Sequence, residues 1–219
     1  MRVVHRFLQN MLADQHGDIL IFGTFNPGIL IGDDNVTDDC FITAYPHVGI
    51  FYGRDGHNHF WHLLPNVFNH PSLKRNNNVD VPSQQLNVLK QGFLNNNRVV
   101  LCDIIAEVQN ITLENLKGFA DANLEKGNII PFDVIRKLQT TNPRYVFTTF
   151  SRNNGTPQIN SIYDQIANYC QQNGIYFHPL PSPSGNTLRR EGITLPELTE
   201  RWRRIFEQAG VFADQAAQL

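Results

Sequence analysis

Asp18-Ile19-Leu20-Ile21-Phe22-Gly23-Thr24-Phe25-Asn26-Pro27-Gly28 decides how this chain reads. Four consecutive apolar residues, Ile19 to Phe22, run into a glycine and then into an Asn-Pro-Gly turn. An unbroken apolar run of that length suits a strand covered on both faces, as in a parallel sheet. Open α/β sheets bind ligands outside the C-terminal ends of such strands. The turn is therefore the expected floor of an active site. The proline after Asn26 restricts that residue to extended backbone.

Outward from this strand the same signal recurs. Val99-Val100-Leu101-Cys102-Asp103 reads as a second buried strand ending in an acid, Arg144 to Phe150 as a third, and Ile175 to His178 as a fourth. Helical periodicity fills the spaces between. Val3, Val4, Phe7, Leu8, Met11 and Leu12 recur at spacings of three and four, which predicts an amphipathic helix over 3–15. A helix begins at Phe60 with Leu63 and Leu64 on its inner face, and Phe60 and Trp61 read as core. Another opens at Pro82 with Leu86, Leu89 and Phe93 on one side, between solvated Asn-rich loops at 76–78 and 95–97. Short helices are expected around Leu113 to Phe119 and Phe132 to Leu138, and longer ones over Ile159 to Tyr169 and 195–208. In the last, Leu195, Leu198, Trp202, Ile205 and Phe206 face inward. Residues 29–57 form a long irregular stretch, which inside a compact domain is usually functional or mobile. Pro179 to Asn186 is neither helix nor interior strand. Strands alternating with helices predict an α/β fold, a parallel or mixed sheet with helices on both faces, in a single domain over 1–219 without internal repeats.

Composition narrows the function classes. With 219 residues, 41% of them hydrophobic, the chain can bury a full core. A formal net charge of -2 leaves no global basic field, so contact with nucleic acid must rest on local charge. Three cysteines, Cys40, Cys102 and Cys170, are too few and too dispersed for a disulfide scaffold or a Cys-only zinc site. Cys102 and Cys170 read as buried thiols, and a reducing cytoplasm is the default. The N-terminus carries no signal-peptide pattern, and no run approaches the roughly 20 apolar residues of a membrane span. His57, His59 and His62 have no second cluster to complete a metal geometry, so neither metal nor other cofactor is expected.

Four segments together carry a family resemblance. The first is Gly23-Thr24-Phe25-Asn26-Pro27-Gly28. The second is Phe51-Tyr52 followed by Asn58-His59-Phe60-Trp61. The third is Asp103 after the second strand, and the fourth is Leu180-Pro181-Ser182-Pro183-Ser184-Gly185. In this order they resemble the uracil-DNA glycosylase superfamily. The likeness is closest to its mismatch-specific uracil/thymine and hypoxanthine-DNA glycosylase branches. The mismatch-specific branch has Gly-x-Asn-Pro-Gly in the first segment, and this chain has one more residue between Gly and Asn. In the uracil-specific enzymes the last motif carries a His-Pro-Ser-Pro, from which His178-Pro179 is offset.

The resemblance implies a three-layer α/β/α sandwich around a central, mainly parallel four-stranded sheet. It implies a monofunctional, cofactor-free DNA glycosylase of base-excision repair that hydrolyses the N-glycosidic bond of a flipped, deaminated base, uracil or hypoxanthine. A monomer acting on damaged or mismatched DNA is expected. Asn26 and Asn58 would be catalytic. Gly23, Phe25, Phe51, Tyr52 and Ser182 would hold the base. Ser184, Gly185, Asn186, Leu188, Arg189 and Arg190 would meet the DNA, with Leu188 as a wedge. Asp103 and His178 would support the site.

Each residue also has a plainer reading. Asn-Pro-Gly is a common turn. Asn58 can cap the helix at Phe60, Asp103 can be a helix cap or turn residue, and Ser182 and Ser184 can bond their own loop. His178 can simply be packed or hydrogen-bonded. An inactive nucleic-acid-binding or nucleotide-binding module of the same fold, or a hydrolase of free nucleosides, is the alternative.

Overall fold

The computed structural model describes residues 2–25, 29–31, 58–112, 115, 121–152 and 156–216. In chain order its elements are β1 (Arg2–Val4), α1 (Leu8–Leu12), β2 (Ile19–Gly23), β3 (Ile29–Ile31), α2 (Phe60–Val67), α3 (Ser83–Asn96), β4 (Val99–Asp103) and β5 (Ile105–Gln109). There follow α4 (Asp121–Leu124), β6 (Asn128–Pro131), α5 (Val134–Thr141), β7 (Tyr145–Thr148), α6 (Pro157–Gln172), β8 (Tyr176–Pro179), α7 (Gly185–Glu191), α8 (Leu195–Ala209) and α9 (Val211–Ala216).

The four apolar-run strands assemble into one parallel sheet in the order β4-β2-β7-β8. Side chains alternate between the faces of a strand, and both faces are apolar. Leu20, Phe22, Val100, Cys102 and Val146 belong to one core cluster. Ile19, Ile21, Val99, Leu101, Tyr145 and Phe147 belong to another. The first is covered by α1, α5 and α6 through Met11, Val134, Leu138, Ile159, Ile162, Ile166 and Cys170. The second is covered by α2, α3 and α8 through Trp61, Leu64, Phe93, Leu198, Trp202 and Phe206. Burying such a side chain is worth roughly 1.5–3 kcal/mol, which is why a period-one apolar strand settles between two helical layers. The three-layer α/β/α architecture is thus present.

A second, antiparallel sheet, β3-β1-β5-β6, was not expected. It packs Val3, Val108 and Ile129 into the first cluster. It also corrects the helix expected over 3–15. Val3 pairs with Leu30 and Val108, and helix is confined to Leu8–Leu12. The three-and-four spacing of Val3 and Val4 coincided with a strand of β-branched residues, which favour a pleated surface. Ile29–Ile31 likewise form a strand rather than loop.

Three further expectations shift. Leu89 is 45% exposed, while Lys90 is fully buried with its ammonium 4.8 Å from the centre of the Trp61 ring. The long lysine stem covers apolar surface, and the ring face receives the charge. β8 runs through Pro179, which is tolerated because β8 is an edge strand. Helix α7 begins inside the Pro/Ser stretch, at Gly185. The helix expected around Leu113 to Phe119 lies almost wholly outside the described residues.

Candidate active site

The C-terminal ends of β2, β4 and β7 form a continuous floor. Gly23 and Asp103 are register partners and lie on the same face as Ile21 and Leu101, the face covered by α2 and α8. Main-chain bonds knit the ends together. Ile104 N–H donates to Gly23 O at 3.0 Å, Ile105 N–H to Thr24 O at 3.2 Å and Thr149 N–H to Phe22 O at 2.9 Å. A Cβ at Gly23 would fall on Asp103 Oδ1 and lie 3.8 Å from Thr149 Oγ1. The glycine is therefore the condition for the Asp103 carboxylate to lie across β2.

Of the two plainer readings of Asp103, helix cap and turn residue, the cap does not hold, because the chain bends at Ile104 and continues into β5. Its Oδ2 is 2.8 Å from His5 Nε2, with the two side chains 6% and 0% exposed. Phe7 N–H donates to His5 Nδ1 at 3.1 Å. A ring nitrogen that accepts cannot carry a proton, so the proton sits on Nε2 and His5 donates it to Asp103. The ring of Phe25 packs edge-on against His5, with centroids 5.7 Å apart.

Asn58 and the Pro/Ser loop form the wall. Asn58 Oδ1 accepts Phe60 N–H at 2.8 Å, an Asx turn that starts α2. That bond assigns the amide, since only the oxygen can accept it, and Nδ2–H₂ is the end left to donate. The main chain of Asn58 pairs antiparallel with Ser184, and His59 N–H donates to Pro183 O at 2.7 Å. From behind, Trp202 Nε1–H donates to Pro181 O at 2.8 Å, and Leu180 N–H to Thr148 O at 2.7 Å. Segments more than a hundred residues apart in sequence thus meet at one rim of the sheet.

The structure treats the other expected site residues unequally. Ser182 Oγ accepts Ser184 N–H at 3.4 Å, and Ser184 Oγ caps α7 through Asn186 N–H at 3.3 Å, so both serines bond their own loop. Gly185 and Asn186 open α7, and Arg189 and Arg190 are exposed on it, Arg189 donating to Asn186 Oδ1 at 2.6 Å. Leu188 packs partly buried against the α2/α8 cluster. Phe25 is 7% exposed, packed within the opposite cluster. His178 sits half-buried on β8, stacked on Tyr176, with Nδ1 2.7 Å from Pro179 O. Asn26, Phe51 and Tyr52 lie outside the described residues.

No protein-family model and no curated protein matches the chain. Its architecture is matched by the solution NMR structure of a provisionally assigned uracil DNA glycosylase from Methanosarcina acetivorans. The TM-score is 0.50, over 90% of this chain and 94% of that one, at 17% identity. The chain has a uracil-DNA-glycosylase-like fold. Within this fold the rim built by Gly23, Asp103, Thr149, Asn58 and the Pro/Ser loop occupies the ligand-binding edge of the parallel sheet. A cavity of about 440 Å³ lined by Asn10, His16, Asn95 and Arg98 lies at the opposite end of β4 and holds none of these residues.

Beside the wall lies a lysine that the sequence did not single out. Lys74, 6% exposed, places Nζ 3.3 Å from His59 Nδ1. Burial, and then the Lys74 charge, hold His62 below its ordinary value. Burial drives the Cys102 thiol well up and Cys170 to about 12, so both are inert thiols. Among the described residues no three His, Cys, Asp or Glu side chains gather to hold a metal. His5 and Thr149 are the floor residues missed in the sequence. A threonine just past a buried strand was a usable signal for Thr149, whereas nothing local marks His5.

Proposed function

We propose that the chain is a monofunctional DNA glycosylase that flips a deaminated base, uracil or hypoxanthine, into the rim described above and hydrolyses its N-glycosidic bond. The observation that carries this reading is the junction of Asn58 with Ser184, in the loop that leaves the C-terminal edge of the parallel sheet, the edge at which Gly23 and Asp103 end their strands. It brings an amide and the Pro/Ser loop to the ligand edge of a sheet with this fold. Excision builds negative charge on the leaving base. The Nδ2–H₂ end of Asn58 is the donor that meets a base oxygen, a contribution of roughly 3–4 kcal/mol in comparable sites. Asn26 orients the attacking water through its carbonyl, and Phe51 or Tyr52 stacks on the flipped base, worth roughly 1–3 kcal/mol. Arg189 and Arg190, exposed on α7, meet the phosphates. The motif turns hold no lysine nucleophile, so the product is an intact abasic strand.

The test is incubation with duplexes carrying one uracil, one hypoxanthine or one mismatched thymine, followed by alkali. Cleavage only after alkali supports the reading. Folded protein in excess that leaves every lesion intact refutes it, and salt-dependent DNA binding without base release would replace it with a binding module.

A further inference from the structure

Hydrolysis needs a group to receive the proton of the attacking water, and neither Asn26 nor Asn58 can do so, because a carboxamide is not a base at neutral pH. Among the described residues that end the four parallel strands, Gly23, Asp103, Thr148 and His178-Pro179, the carboxylate is Asp103. Its Oδ1 lies over Gly23, on the face that α2 and the Pro/Ser loop wall in. Its Oδ2 takes the Nε2 proton of His5, whose Nδ1 is engaged by Phe7 N–H. In this bond His5 is thereby the donor and Oδ2 of Asp103 the acceptor.

We propose that Asp103 receives the proton of the hydrolytic water through Oδ1 and that His5 is a positioning residue that keeps Oδ1 aimed over Gly23. The step balances within the site. The water oxygen forms the new bond to the sugar C1′ as the C1′–N bond breaks. The base departs with the bonding pair, the water proton passes to Asp103, and the base later takes a proton from solvent. His5 transfers nothing. It holds Oδ2 from the β1 side and leaves the other oxygen to the water. The inference rests on the hydrolytic reading given above.

The experiment measures single-turnover excision and duplex affinity, by fluorescence anisotropy, for the wild type, Asp103→Asn, His5→Leu and His5→Gln, with urea unfolding to certify the folded fraction. A positioned base contributes roughly 10²–10⁴-fold. Asp103→Asn is expected to lose about that factor, with affinity unchanged within about twofold. His5→Leu should lose part of it at unchanged affinity. His5→Gln, which keeps an N–H donor, should recover most of what His5→Leu loses. A pair that merely ties β1 to β4 lowers stability and leaves the rate of the folded fraction untouched, and that result overturns the inference. Excision by Asp103→Asn at the wild-type rate overturns it too. A wild type that releases no base from any lesion overturns the hydrolytic reading and this inference with it, whereas base release by wild type and Asp103→Asn alike overturns the inference alone. Should His5→Leu fail to fold, Asp103→Asn and His5→Gln still decide the outcome.

Discussion

Gly23→Ala places one methyl group where the Asp103 carboxylate lies. The new carbon would fall on Oδ1 and sit 3.3 Å from Cγ. An exposed carboxylate would swing aside at little cost. This one is 6% exposed and bonded to His5 at 2.8 Å, so moving it breaks a bond between two buried partners. Overpacking of this kind costs about 1–3 kcal/mol, and we take about 2 kcal/mol for Gly23→Ala. Asp103→Ala alone leaves His5 Nε2–H buried without its acceptor, a cost of about 1–3 kcal/mol. In the double variant the methyl enters the space that the carboxylate vacated, so the overpacking disappears. The double variant should then cost no more than Asp103→Ala, which gives a coupling of about 2 kcal/mol. Urea unfolding followed by the fluorescence of Trp61 and Trp202, both fully buried, reads all four stabilities. Additivity within about 0.5 kcal/mol would refute the reasoning.

Asn58→Asp keeps an oxygen for Phe60 N–H but loses the amide donor, whereas Asn58→Ala loses both. Asn58→Ala should lose about 1 kcal/mol of stability and Asn58→Asp much less, with base excision slowed strongly in each, and urea curves beside excision rates separate the two effects. Trp202→Phe removes the bond to Pro181 O. Stability should fall by about 1 kcal/mol, and amide exchange over the Pro/Ser loop should quicken. The Glu197 carboxyl is held below its usual range first by the Thr194 N–H and then by the Thr194 hydroxyl. Its native value lies under its unfolded one, so the stabilisation is complete above the unfolded value and is lost as pH falls through the native one. Glu197→Gln should therefore melt below the wild type at pH 7, and the gap should close in acid, as read by thermal scans.

The parallel sheet was legible because burial on both faces writes an unbroken apolar run into Ile19 to Phe22 and Val99 to Cys102. The run needs no knowledge of its partners. Helix α8 was legible for a similar reason, since Leu198, Trp202 and Phe206 repeat at a helical spacing. The antiparallel sheet was not. β1 spans three residues, and its identity is decided by pairing with β5 far along the chain. Local periodicity cannot report such an element. The same limit hid His5, whose partner is 98 residues away. Lys90 was hidden because its stem behaves as an apolar side chain once Trp61 receives the charge. At the site, the Asn58 motif and the Pro/Ser motif could be read separately, but their meeting through Ser184 is a tertiary fact. The face that Phe25 takes was not legible, because a residue just past the last pleat of β2 can turn to either side.

Ile104 is the whole of the connection between β4 and β5, so the chain leaves one sheet and enters the other within a single residue. That brevity makes the crossing intolerant of length changes. Between Ile105 and Glu107 the pairing of β5 with β6 already carries an irregularity, which lets Ile105 and Val108 enter the same core. Beyond it faces alternate, so one further residue that the bulge did not absorb would send Val108 outward and its polar neighbours into the interior. Lineages of this fold that carry the second sheet should therefore vary freely in the loops around the rim while holding the spacing between the acid and the following strand constant.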